Sequence, residues 1–186
     1  MIRVTHILPF IGVGGAEQMV LTLCKFRNQA EFDCIVAAPE EGIMTDEIRK
    51  TGTPVYTGWT SYHAAMRWAD MVNLHWASYQ PQLHNLVQSS GKPYVTTLHS
   101  ASEMPKLPAI TICTSLYTYR LQKDKSRFVA IPNGADLSRF VPRRSAVAQQ
   151  QAGPKQQREE VIITRVCRPP KCALYFWTAM EKVLHR

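Results

Sequence analysis

Chemistry in this sequence could first occur at a glycine-rich turn. Gly12-Val13-Gly14-Gly15-Ala16-Glu17 follows the β-type run Arg3–Leu8 (RVTHIL). Glycine lets a backbone come close to an anion, and a helix starting there offers unpaired N–H groups and a positive dipole end. Such a turn suits a phosphate, and it suits a plain tight strand-to-helix connection equally well. The dinucleotide fingerprint G-x-G-x-x-G is not met, because Glu17 stands where its last glycine belongs. That departure argues against a nicotinamide-binding domain.

Three further places carry reactive residue types. His75-Trp76 and His99-Ser100 each come just past the end of a β-type run. On the carboxyl edge of a parallel sheet such residues are placed to touch a ligand, whereas buried ones are hydrogen-bonded structural groups. From the residues alone, the structural reading is preferred for His75. In Thr164-Arg165-Val166-Cys167-Arg168-Pro169-Pro170-Lys171, Arg165 at a strand end and Lys171 at a helix start could clamp a diphosphate or form a solvated basic turn. The run Ile131–Pro142 (IPNGADLSRFVP) leaves a strand through a Pro-Asn-Gly turn and marks a domain boundary. No metal site is expected: zinc needs closely paired ligands, and His75, His84 and His99 are far from any such pair.

The elements that must position these residues alternate strand and helix. Strand runs at 3–8, 33–38, 54–57, 70–75, 93–98, 109–113 and 127–131 are separated by helical patterns near 15–26, 43–50, 61–69, 81–90 and 115–122. In the first helix Ala16, Met19, Val20, Leu23 and Phe26 are expected on one buried face. Gly52 and Gly91 are expected to stop the second and fourth helices. The alternation implies right-handed crossovers and a Rossmann-like three-layer α/β domain with a mostly parallel sheet, over 1–141. Residues 142–160 read as a linker, being rich in Gln, Arg and Glu with little to bury. Residues 161–186 read as the first βα unit of a second Rossmann domain, too small to form its own core. Its Leu174, Tyr175, Phe176 and Trp177 predict self-association, docking onto the first domain or a partner chain.

Charge narrows the function classes. The net charge of +8 over 186 residues is unevenly spread. Residues 1–141 hold 13 basic and 11 acidic side chains, against 9 and 3 in 142–186. The basic stretch of the linker has no interleaved aromatics, so nucleic acid is not an expected partner. Cys24, Cys34, Cys113, Cys167 and Cys172 form no C-x-x-C pair and read as free thiols of a reducing cytoplasm. No run is long and apolar enough to span a bilayer, and the N-terminus does not read as a signal peptide.

Taken together, ILPFIGVGGAEQMVLTL at 7–23, ADMVNLHW at 69–76, PYVTTLHS at 93–100 with SLYTYRL at 115–121, and IPNGADLSRFVP at 131–142 resemble the group 1 (family 4) retaining glycosyltransferases of the two-domain GT-B fold. The resemblance covers the whole chain. It implies an acceptor-binding N-terminal domain and transfer, with retention, from a nucleotide-diphosphate sugar to a glycan or lipid-linked acceptor. It implies that Gly14 and Gly15 lie under the donor diphosphate and that His99 sits beside the donor sugar as the catalytic candidate. Arg165 and Lys171 correspond to the pair that neutralises the leaving diphosphate, and His75 and Trp76 are acceptor-side candidates. No cofactor is implied beyond the donor itself.

This sequence departs from the family at Thr164 and Cys172, where glycines flank the Arg and Lys. It also lacks any two glutamates eight apart, the spacing of the motif that holds the nucleotide ribose and donor sugar. The expectation is therefore an N-terminal half, truncated or completed by a chain supplying the donor domain, and inactive by itself. The alternative is a non-catalytic binding module of the same fold. The setting expected is cytoplasmic, with a membrane surface and a homo-oligomer as further partners the resemblance admits.

Overall fold

A computed structural model describes residues 1–75, 81–104, 107–134 and 136. The chain divides into Met1–Val141 and Pro142–Arg186. All described residues belong to the first unit, so Trp76, the linker at 142–160, Arg165, Lys171 and the apolar unit at 161–186 lie outside them.

The alternation read from the sequence becomes β1 (Ile2–Ile7), α1 (Gly15–Phe26), β2 (Phe32–Ala38), α2 (Thr45–Arg49), β3 (Val55–Thr57), α3 (Trp59–Trp68), β4 (Met71–His75), α4 (Pro81–Ser89), β5 (Tyr94–Leu98), β6 (Ile110–Cys113), α5 (Leu116–Arg120) and β7 (Phe128–Ala130). The strands form one sheet in the order β3-β2-β1-β4-β5-β6-β7. All six pairings are parallel. The fold is thus an α/β Rossmann-like sheet, with every strand ending on the same edge.

Side-chain alternation assigns the two faces. Ile7, Ile35, Ala37, Val72 and Leu74 pack with Tyr62, Ala65 and Met66 of α3 and with Leu83 and Val87 of α4. On the other face Cys34, Val36 and Ala38 pack with Val20 and Cys24 of α1 and with Ile48 of α2. The carboxyl half of β2 is buried on both sides, as its continuous apolar run requires. Gly52 (φ 77°) and Gly91 (φ 68°) adopt the left-handed conformation just after α2 and α4, as expected of helix-stopping glycines. Ser115 caps α5, its hydroxyl accepting from the Thr118 N–H at 3.1 Å.

Helix α1 differs from the sequence expectation. It buries Ala16, Glu17, Val20 and Cys24. Leu23 and Phe26 are exposed at 39% and 57%. The i, i+4 series 16-20-24 faces the sheet because Cys24 packs against β2. Met19, Leu23 and Phe26 instead line a cleft described below.

Turn geometry at the carboxyl edge depends on one close approach. A Cβ on Gly42 would lie 1.8 Å from the carbonyl oxygen of Ile11, so the loop after β2 supports the glycine turn after β1. The Gly42 N–H also donates to Thr45 Oγ1 at 2.8 Å, holding the support in place. Gly42→Ala should therefore push the 11–15 turn outward and cost about 1–3 kcal/mol, as overpacking does. Urea unfolding measures the cost, and amide shifts at Ile11–Gly15 report the displacement. A variant of unchanged stability with unmoved amides contradicts this account.

Candidate functional site

In an open parallel sheet, ligand crevices form where strand order reverses, outside the carboxyl ends of the strands. Here the reversal falls between β1 and β4, which are neighbours in the sheet although their chain continues in opposite directions from it. The glycine turn leaves β1 at this point, His75 is the last residue of β4, and His99 follows β5 directly.

The histidines meet in a row on the α1 face of the sheet. His6 Nδ1 lies 3.2 Å from His75 Nε2, and His75 Nδ1 lies 2.8 Å from His99 Nε2. Ring centroids are 5.4 Å and 5.1 Å apart, with the second pair stacked. His75 is 1% exposed and His6 7%, while His99 is half-buried at the edge. Parity explains the row: His6 pairs in register with Asn73, and His75 is two residues further on the same face. Burial pushes His6 and His99 down to about 4. His75 is lowered well below its ordinary range, by burial first and then by its two neighbours. All three rings are therefore neutral near pH 7.

Beneath the glycine turn, Glu17 is buried at 1% exposure. A Cβ on Gly14 would lie 2.5 Å from Glu17 Oε2, so the carboxylate folds back against the turn and leaves no room for a side chain there. The acid in the first turn of α1 complements the helix dipole. Among the described residues, Glu17 Oε1 is buried without a hydrogen-bond partner. Gly15 is exposed at the start of α1 and has open space above its Cα.

Residues after His99 are held by a buried glutamine. Gln122 Oε1 accepts from the Met104 N–H at 3.0 Å, and its Nε2 donates to the carbonyls of Ser102 (2.9 Å) and Thr118 (2.8 Å). Thr114 Oγ1 donates to the carbonyl of Leu98, just before His99, at 3.1 Å. On the same edge Phe10, Val13, Trp59, Leu116 and Tyr117 are exposed, between 49% and 65%. The start of the boundary run is tied back to α1 by Lys25 Nζ and Asp136 Oδ2 at 2.7 Å, Asp136 being 6% exposed. On the α1 face of the sheet an open cleft of about 630 Å³ is lined by His6, Cys34 and Asn73 from the strands and by Met19, Leu23 and Phe26 from α1.

Of the residues singled out in the sequence, Gly14, Gly15, His75 and His99 therefore gather around the β1/β4 crevice. Both ring nitrogens of His75 are engaged by other histidines, so its reach toward the edge runs through His99. Sequence reasoning did not select His6, Glu17 or Gln122. His6 is a polar residue within the central strand β1, and that is the signal in the sequence that it needs a buried partner. Among the described residues no group of three or more His, Cys, Asp and Glu is arranged to hold a metal ion. No helix among them is long and apolar enough to cross a membrane.

Comparison with solved structures gives this geometry a context. The fold is similar to two crystal structures of Anabaena Alr3699/HepE, one in complex with UDP and glucose and one in complex with UDP. Identity is 14% and 13%, and the TM-score is 0.60 for each. The match covers 81% of this chain and 50% and 49% of those chains. The chain thus spans about half the length of the structures it matches, and at this identity the likeness establishes the fold. No family model matches the chain, and no curated protein does.

The neutral histidine row makes stability depend on pH. Between its lowered native value and the ordinary value near 6.5, a buried histidine binds a proton in the unfolded chain but not in the native one. Its contribution is whole above pH 6.5 and is lost as pH falls toward about 4. Each fully buried ring gives a slope of up to about 1.4 kcal/mol per pH unit. Asp70, lowered to about 2 by Arg3, adds its own loss only below that window. Urea unfolding across this range should show stability falling with acidity, and a flat profile would contradict neutral burial of the row.

Proposed function

We propose that this chain is the acceptor-side half of a glycosyltransferase that uses a nucleotide-diphosphate sugar and acts with retention on a glycan or lipid-linked acceptor. The observation that carries the reading is the crevice at the strand-order reversal, where the glycine turn and His99 come to one edge of a sheet similar to those of the HepE structures, one in complex with UDP and glucose and one with UDP.

In this reading the bond between the anomeric carbon and the diphosphate oxygen breaks, and a bond to the acceptor hydroxyl oxygen forms. The acceptor's proton leaves with the nucleoside diphosphate. Charge develops on the departing diphosphate, and N–H groups at Gly14 and Gly15 would stabilise it without a compensating motion. By the resemblance, Arg165 and Lys171 would be the cations that neutralise a departing diphosphate. Neutral His99 would hydrogen-bond a hydroxyl of the donor sugar. The exposed Phe10, Val13 and Trp59 offer apolar surface to an acceptor's sugar faces or lipid portion. The work would take place at the cytoplasmic side, in solution or at a membrane surface.

Chemical-shift mapping on the labelled chain tests this. A panel of nucleotide-diphosphate sugars, UDP-glucose first, is titrated alone and with oligosaccharides. At least one member should shift the amides of Gly14 and Gly15 and the ring of His99, and His99→Ala should weaken that binding about tenfold, the worth of one good hydrogen bond. The chain alone should release no nucleoside diphosphate. Turnover by the isolated chain would sink the view that it is half of the enzyme. Shifts from no member of the panel would sink the transferase reading in favour of a non-catalytic binding module.

A further inference from the structure

The three-histidine row contains more than burial requires. His75 uses Nε2 toward His6 and Nδ1 toward His99, so each of its ring nitrogens must match the state of a neighbour. A neutral imidazole carries one proton and one lone pair. In one arrangement His6 Nδ1–H donates to His75 Nε2, and His75 Nδ1–H donates to His99 Nε2, which leaves the His99 proton on Nδ1. In the other, His99 Nε2–H donates to His75 Nδ1, and His75 Nε2–H donates to His6 Nδ1. No mixed arrangement satisfies both contacts: the rings are all Nδ1–H or all Nε2–H.

The row also joins two places. Its outer ring stands at the carboxyl edge after β5. Its inner ring, His6, lines the open cleft on the α1 face, where Arg27 and Cys34 are the other ionisable side chains on the lining. Moving from the first arrangement to the second shifts one proton across each of the two hydrogen bonds, while His99 Nδ1 releases a proton to water and His6 Nε2 takes one up, so that every ring ends neutral. His99 Nδ1 then changes from donor to acceptor.

We propose that His6, His75 and His99 form a single-file tautomeric chain in which all three rings carry the proton on the same nitrogen, so that His6 and His75, as positioning residues, constrain which ring nitrogen of His99 bears its proton. If His99 meets the donor sugar, as the preceding reading holds, the chain determines whether His99 donates or accepts there. The chain itself is a property of the folded domain and does not depend on that reading.

Ring ¹⁵N–¹H correlation spectra of the full chain, labelled at histidine, read each tautomer directly near pH 7. His6, His75 and His99 should be neutral and share one tautomer. A mixture of Nδ1–H and Nε2–H among them, or averaging of His99 like that of exposed His63, overturns the proposal without any variant being needed. His6→Phe removes the inner partner and should abolish the single tautomer at His99, two rings away. His6→Asn places an amide near the lost Nδ1 and should restore it. A folded His6→Phe protein with an unchanged His99 spectrum also overturns the proposal. Agreement of the three tautomers together with no response to nucleotide sugars would leave the chain standing and remove only its link to sugar transfer.

Discussion

Enclosing both faces of a parallel sheet removes water from its central strands, so every polar side chain there has to find a partner on its own face. In this domain β1, β4, β5 and β6 carry many such groups. Thr97 Oγ1 donates to Asn73 Oδ1 at 2.8 Å, Thr96 and Thr111 share a bond of 2.7 Å, and Thr5 donates to the carbonyl of Ala65 at 2.9 Å. The three histidines solve the same problem with rings. An unpaired polar group at such a depth costs on the order of 1–3 kcal/mol, so these contacts also help fix strand register. A slip of one residue would turn His6 to the α3 face and break the row.

From that constraint follows the arrangement of the edge. Polar residues satisfied inside the sheet leave the loops beyond it to be held by other means, and each loop has its own. The turn after β1 leans on Gly42, which has no side chain to obstruct the Ile11 carbonyl. The segment after β5 is fastened by Gln122, whose amide serves three backbone groups. Lys25 and Asp136 tie the boundary run to α1, a partly exposed cation meeting a buried carboxylate. Loops fastened in this way hold the polar backbone groups around the crevice in fixed positions.

Much of this was legible in the sequence because periodicity and turn chemistry are local. The β-type runs of 33–38 and 70–75 and the glycine stops at 52 and 91 lead to an alternating α/β domain, and the sheet carries them in that role. The glycine turn and His99 were visible as residues beyond strand ends, His75 proves to be the last residue of β4, and the parallel sheet puts all strand ends on one side. Less legible was the orientation of α1, whose two overlapping apolar series, 16-20-24 and 19-23-26, both fit a helix. Packing against Cys34, Val36 and Ala38 favours the first. Nor could spacing reveal His6, since the pairing of β1 with β4 spans 69 residues between His6 and His75.

Sequence by itself therefore determined the alternation of elements, the class of the fold and which of the singled-out residues come to the carboxyl edge of the sheet. These depend on interactions within a few residues or on the shared direction of the strands. Tertiary structure alone decided that His75 is an internal link and not an edge residue, that Glu17 folds under Gly14, and that Gln122 fastens the segment after His99. Each of those outcomes rests on strand register or on side-chain packing between distant segments, where a shift of one residue reverses the face presented.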